Sequence, residues 1–183
     1  KGKGLPEAEA DPTKYHQVSP AGQAKSRTWS EAASDIAEEL ALNDPRIVCF
    51  TAAMVTGVKL EKFAREFPDR FFDIGIAEQN LINTAAGLSA TGKIPFAATF
   101  AVFATGRTYD QIRNTVCYSN FNVKIVGTHG GVTVGEDGAT HQALEDIALM
   151  SNLPNMTVIV PADYAETYSA IKYAAEQIGR AHV

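Results

Sequence analysis

Apolar residues recur along this chain at two alternating periods, and the switches between them mark the elements. Thr28 and Glu31 have the spacing of a reciprocal helix cap, and Trp29, Ala32, Ala33, Ile36 and Leu40 then form one stripe at helical period. Asn43-Asp44-Pro45 stops that helix. Residues 46–51 (RIVCFT) are a short apolar run that predicts a buried strand. Residues 60–67 predict a short helix ended by Pro68. A second strand over 71–76 crosses at Gly75 into a helix from Glu78 to Thr91. No charge follows Glu78 until Lys93, so that helix is predicted to be central rather than exposed. Strands over 95–100, 122–128 and 157–160 follow. Between and after them come helices over 105–118 (Tyr109, Ile112, Val116 and Cys117 inward), 141–150, and 164–177 (Tyr168, Ile171, Tyr173 and Ala174 apolar). Residues 181–183 begin a last strand.

Strands alternating with helices over short connections predict an α/β fold in three layers. A mostly parallel sheet is covered by helices on both faces, with right-handed crossovers. Residues 1–25 are polar, rich in Gly, Pro, Ala and Glu, and lack either period, which reads as a linker or extended arm. Residues 26–183 form the one domain. In such a sheet the loops after the strand C-termini share one edge. Glu78, Phe100, Phe103, the run Thr128-His129-Gly130-Gly131, and the run from Gly135 to His141 that contains Asp137 are all predicted there. Each has a structural explanation too. Glu78 is a first-turn carboxylate favoured by the helix dipole, and the two Phe residues are core candidates. The glycine pairs are turns, and His141 can face solvent at a helix start. Position alone leaves these open; convergence on one edge favours a site.

Composition narrows the classes. With 16 Lys and Arg against 21 Asp and Glu, and the basic residues scattered, no surface could neutralise many phosphates of a nucleic acid. Cys49 and Cys117 lie inside apolar runs without metal-type spacing, which suits buried free thiols and a cytoplasmic location. No signal peptide and no membrane-length apolar run is present in the sequence. Glu136 and Asp137 are of the type that suits Mg²⁺, but there is no Gly-Asp-Gly run followed by an Asn and no phosphate-cradling P-loop. A metal site in this chain is therefore not expected.

The stretches FFDIGIAEQNLINTAAGLSATGKIPFAATFAVFATGR, DQIR, THGGVTVGEDGATHQALEDIALM and LPNMTVIVPAD together resemble the pyrimidine-binding domain of transketolase, above all the split-subunit kind. The resemblance covers residue 26 to the C-terminus. The opening KGKG is similar to the end of a preceding diphosphate-binding domain, and the domain is expected to be truncated at its C-terminus. Parts of the arm and the segment TAAMVTG to FPDRFFDIGIAEQ look more like 1-deoxyxylulose-5-phosphate synthase. That relative usually has Asp-Arg where this chain has Thr128-His129.

The resemblance implies a thiamine diphosphate enzyme moving a two-carbon ketol unit from a ketose phosphate to an aldose phosphate. Glu78 would hydrogen-bond N1′ of the aminopyrimidine, and Phe100 and Phe103 would line the ring's pocket. His141 and Asp137 would orient the donor sugar, with His141 beside the reacting carbons, and Arg27 and His129 would hold substrate phosphate. An aromatic common in the family is replaced by Gly106, and an acid near the thiazolium by Ala53. The diphosphate and Mg²⁺ would be held by a diphosphate-binding domain or subunit, in a homodimer or heterotetramer. The helix after Glu78 is the candidate subunit contact, or else ordinary core. A 1-deoxyxylulose-5-phosphate synthase-type reaction on pyruvate and glyceraldehyde phosphate, or a non-catalytic scaffold of the same fold, are the alternatives.

Overall fold

The structure is a computed structural model in which residues 3–11, 27–134, 137–178 and 181–182 are described. Six strands form one sheet: β1 (Ile47–Thr51), β2 (Phe71–Asp73), β3 (Ile94–Phe100), β4 (Lys124–Thr128), β5 (Thr157–Val158) and β6 (Ala181–His182). Their order is β2-β1-β3-β4-β6-β5, and every pairing is parallel. β3 pairs on both edges and is covered on both faces, so all of its residues are buried and its sequence, IPFAATF, lacks alternation.

Two cores flank the sheet, as the period of two along each strand requires. Val48, Phe50, Ala97 and Ile125 point to one face. There they meet Leu81, Ile82, Ala85 and Ala86 of α4 (Glu78–Ala90), together with Ile112 and Val116. Ile47, Cys49, Phe96 and Ala98 point to the other face. They meet Ile36 and Ala37 of α2 (Trp29–Asn43), Phe63 of α3 (Glu61–Glu66), and Ile171 of α7 (Tyr164–Gln177). The anticipated three-layer α/β architecture is the one observed.

Local signals fix the longer helices. The α2 cap is reciprocal: Glu31 N donates to Thr28 Oγ1 at 3.2 Å, and Thr28 N donates to Glu31 Oε2 at 2.7 Å. These contacts hold the Glu31 carboxyl below its ordinary value, the backbone bond from Thr28 first among the causes. Asp163 caps α7 by accepting from Glu166 N at 2.8 Å.

Elsewhere the sequence pattern misleads. Trp29 is 53% exposed, because it precedes the packed stripe and its indole turns to the Pro161 carbonyl, 3.1 Å away. Tyr173 is also exposed, since α7 turns only Ile171 and Ala174 of that set fully inward. The helix expected over 141–150 starts at Asp146 (α6, Asp146–Ser151). Ahead of it, Ala139–His141 is a 3₁₀ turn, and Ala143 bridges back to Gly130 and Gly131. The strand expected over 71–76 ends at Asp73, and that over 157–160 at Val158. The helix expected over 105–118 contains two π-helical stretches, Phe103–Arg107 and Ile112–Tyr118, around the short α5 (Tyr109–Gln111). α4 is not fully enclosed: Gln79, Asn80, Asn83 and Gly87 face outward along one side. Within the arm, Pro6–Ala10 forms the short α1, with Ala8 buried; residues 1–2, 12–26, 135–136, 179–180 and 183 lie outside the described residues.

The chain leaves β1 toward β2 on one side, then crosses back to build β3 and β4 on the other. The strand order thus reverses between β1 and β3. A crevice opens beyond the carboxyl ends of strands at such a reversal, because the two exit loops turn away from each other.

Candidate active site

The exits of β1 and β2 are tied together by one carboxylate. Asp73 Oδ1 accepts from Ala53 N at 2.8 Å and from Gly75 N at 2.9 Å, while Ile74 N donates to the Thr51 carbonyl at 2.9 Å. Gly75 takes φ +73°, a left-handed conformation that glycine adopts freely. Ala53 takes φ +57° without that freedom, so the Asp73 bond offsets a local strain of about 1–3 kcal/mol. The knot sets where α4 begins. Glu78 is its first residue and is only 3% exposed. Its Oε1 accepts from Arg107 Nη1 at 2.7 Å, and the Arg107 side chain is 45% exposed.

The exit of β3 supplies the aromatics. Phe100 closes the strand and Phe103 opens the π-helical turn, with ring planes 6° apart and centroids 6.1 Å apart. Phe100 is buried. The His129 imidazole lies against it at 3.9 Å between centroids, and a Cβ added to Gly57 would come within 3.1 Å of its ring. Phe103 is half-buried, and Arg107 lies over its ring with Cζ 4.4 Å from the centroid. Thr105 Oγ1 donates to the Ala101 carbonyl at 2.8 Å, and Thr108 Oγ1 to that of Ala104, which pins the turn from inside.

The exit of β4 brings the histidine wall. His129 has φ +58°, and its Nδ1 lies 2.9 Å from Thr128 Oγ1. His141 stands edge-on to Phe103 at 5.3 Å and to Phe100 at 6.4 Å, with its Nδ1 2.9 Å from Thr140 Oγ1. These groups surround an open cleft of about 1430 Å³, larger than the roughly 300–1,000 Å³ of a usual ligand pocket. Phe100, Phe103, His129, Asp137, His141 and Asp73 all line it. Its lining also includes four exposed apolar residues, Trp29, Leu144, Ile147 and Val160.

The expected site residues therefore fall into three groups. Phe100, Phe103, His129, Asp137 and His141 share the cleft. Glu78 is not among the lining residues and is linked to them through Arg107 and Phe103. Arg27 stands off the cleft lining, ion-paired to Asp35 and stacked over Tyr164 at 4.1 Å. Burial, followed by the hydrogen bond that Tyr164 donates to Asp35 at 2.6 Å, raises the Tyr164 hydroxyl above its ordinary value. Three contributors escaped the sequence reading: Arg107, Asp73 and Gly57. Arg107 had a visible signal, since it stands four residues after Phe103, within reach along one helix face. Asp73 and Gly57 had none, because their partners Ala53 and Phe100 come from other segments.

Among the described residues no group of His, Cys, Asp and Glu could hold a metal ion, and no helix is long and apolar enough to cross a membrane. A family model for the pyrimidine-binding domain of transketolase matches residues 25–182. The chain belongs to that family. A Methanocaldococcus jannaschii protein named as a transketolase C-terminal section is 51% identical over 145 residues, 79% of this chain and 46% of that protein. The 1-deoxy-D-xylulose-5-phosphate synthase of Clostridium perfringens is 42% identical over 182 residues, 96% of this chain and 29% of the synthase. Among solved structures, one titled a split-gene transketolase, inactive β4 tetramer, is similar with TM-score 0.76 and 50% identity over 86% of this chain and 50% of its own. A Campylobacter jejuni transketolase reaches TM-score 0.78 at 25% identity, covering 100% of this chain and 29% of its own. This pyrimidine-binding domain thus spans less than half the length of the curated relatives it matches. Its family is one of thiamine diphosphate-dependent enzymes.

Proposed function

We propose that this domain is the pyrimidine-side half of a transketolase active site. With its partner it would move a two-carbon ketol unit from a ketose phosphate to an aldose phosphate. The observation that carries the reading is a carboxylate that is nearly sealed from solvent, at a helix start, and joined through Arg107 to a half-buried aromatic ring that lines a large open cleft. Those groups fit an aminopyrimidine: a flat ring accepts aromatic contact, and a ring nitrogen next to a carboxylate can share its proton. Thiamine diphosphate, when bound, supplies a carbon acid whose conjugate base adds to a ketone. Glu78 holds a proton at N1′, where a side chain unable to exchange one would not serve. Phe103 would take the ring's aromatic contact, and Phe100, itself enclosed by His129 and Gly57 and parallel to Phe103, would support it. His141 and Asp137 orient the donor sugar, and His129 the phosphate end. Arg27 joins them at the phosphate once it releases Asp35.

The diphosphate and Mg²⁺ are assigned to a diphosphate-binding domain or subunit, in a homodimer or heterotetramer. Two features support a covering partner. The cleft wall of Trp29, Leu144 and Val160 is exposed, and Ile76, two residues before Glu78, is 83% exposed. The outward side of α4 is uncharged, which suits a subunit contact.

A second reading, the 1-deoxyxylulose-5-phosphate synthase reaction, is favoured by the 42% identity to a synthase over 96% of the chain. Turnover assays separate the two. The assembled enzyme is expected to consume a ketose phosphate with an aldose phosphate acceptor and not to decarboxylate pyruvate. Pyruvate consumption would reverse that order. Full turnover by this chain without a diphosphate-binding partner would remove the half-site reading altogether.

A further inference from the structure

We infer that Arg107 is a resident stand-in for the cofactor's pyrimidine ring, and that the ring must displace it to bind. The inference rests on the functional reading above and adds a residue to it. Arg107 occupies both things the pyrimidine needs. Its Nη1 donates to the Glu78 carboxylate at 2.7 Å, and its flat guanidinium covers Phe103 with Cζ 4.4 Å from the ring centroid. A guanidinium and an aminopyrimidine share a planar frame with an N–C–N edge that stacks on an aromatic face and hydrogen-bonds a carboxyl group, the guanidinium as the donor and the ring nitrogen by accepting the carboxyl's proton. A cationic residue that merely decorated the surface would have no reason to satisfy both partners at once.

The local backbone suits exchange. Arg107 ends the π-helical stretch Phe103–Arg107, which puts it on the same side as Phe103. Thr105 and Thr108 anchor that stretch through their hydroxyls, so the backbone is held while the side chain is 45% exposed and has solvent to swing into. Gly106 beside it has open space where a Cβ would stand, so nothing packs the turn shut. Glu78, by contrast, has a side chain only 4% exposed. Without a partner its charge would be stranded, because a buried carboxylate that loses its ion pair has no water to replace it. Arg107 thus pairs with the carboxylate and holds it in place in the empty site, and it competes with the ring for the same position.

The experiment measures thiamine diphosphate binding, with Mg²⁺, by calorimetry on the enzyme assembled with its diphosphate-binding partner, and in parallel the cofactor-induced rise in melting temperature. Arg107→Ala is expected to bind about tenfold or more tightly and to gain a larger rise than the wild type, because its empty site is already less stable. Arg107→Lys keeps the charge but not the flat cover, and is expected to fall between the two; it serves alone if the Ala variant does not fold. Equal or weaker binding by the variants, with the wild type binding normally, overturns the inference and leaves the functional reading intact. No binding by the wild type overturns both.

Discussion

Among the described residues three charged side chains are buried, Glu38, Glu78 and Lys124, and the last two lie at opposite ends of the sheet's strands. Lys124, the first residue of β4, is fully buried, and its Nζ donates to Asn122 Oδ1 and to the Ile178 carbonyl at the end of α7. Glu78 sits beyond the carboxyl ends, with a half-exposed guanidinium as its partner. The lysine is closed off by groups that cannot leave, since a backbone carbonyl and a short side chain from its own loop hold it. The carboxylate is matched by a long side chain that can. Burial alone therefore does not mark a functional charge, and neither does a mobile partner, since buried Glu38 is paired with the half-exposed Lys62. What sets Glu78 apart is a partner that also covers the Phe103 ring at the cleft.

The largest expected break in that contrast is at Glu78. Glu78→Gln in the assembled enzyme should lower turnover by about 100-fold or more, the range for losing a proton-transfer group, with little change in melting temperature. Near-normal exchange of the cofactor's acidic carbon-bound proton in that variant would count against the role.

Lys124 should behave in the opposite way, with no effect on turnover and a clear effect on stability. Burial lowers its ammonium to about 8. The unfolded chain, with an ordinary lysine, then binds more protons than the folded one between about pH 8 and 10.5, so this residue makes stability rise with pH across that window. Lys124→Met should flatten that rise, and it should stabilise the domain below pH 8 by up to about 3 kcal/mol. Denaturant midpoints at pH 7.5 and 10 test this; an unchanged pH slope would show that the lysine's hydrogen bonds fully offset its burial.

Smaller effects sharpen the same contrast. Gly57→Ala places a Cβ 3.1 Å from the Phe100 ring and 3.2 Å from Met54 Cε. It should cost about 1–3 kcal/mol and weaken cofactor binding by shifting Phe100. A loss of stability with unchanged affinity would detach Phe100 from the site. Thr28→Ala removes half of the α2 cap and should cost about 1 kcal/mol in thermal unfolding without touching turnover.

Much of the fold was legible because local chemistry and tertiary packing agree there. The Thr28 and Glu31 cap, the stop at Pro45 and the unbroken apolar runs of β1 and β3 needed no long-range information. The failures have the opposite cause. Trp29 matched the helical stripe, but the register of α2 on the sheet turned it toward Pro161. The stretch before Asp146 has a helical pattern, but Ala143 is held by its bridges to Gly130 and Gly131. The spacing of Phe103 and Arg107 specified their contact along one helix face, but the partner of Arg107 on α4, Glu78, comes from another segment.

What the sequence determined by itself is the alternation of elements, and with it the parallel sheet and the edge where β1, β3 and β4 release their loops, since period and capping are properties of neighbouring residues. Tertiary structure alone decided which groups face one another across those loops. Asp73 reaches Ala53, Gly57 meets Phe100, and Arg107 meets Glu78 over 20, 43 and 29 positions of chain respectively. Contacts at such separations are chosen by the packing of whole layers, which no local pattern encodes.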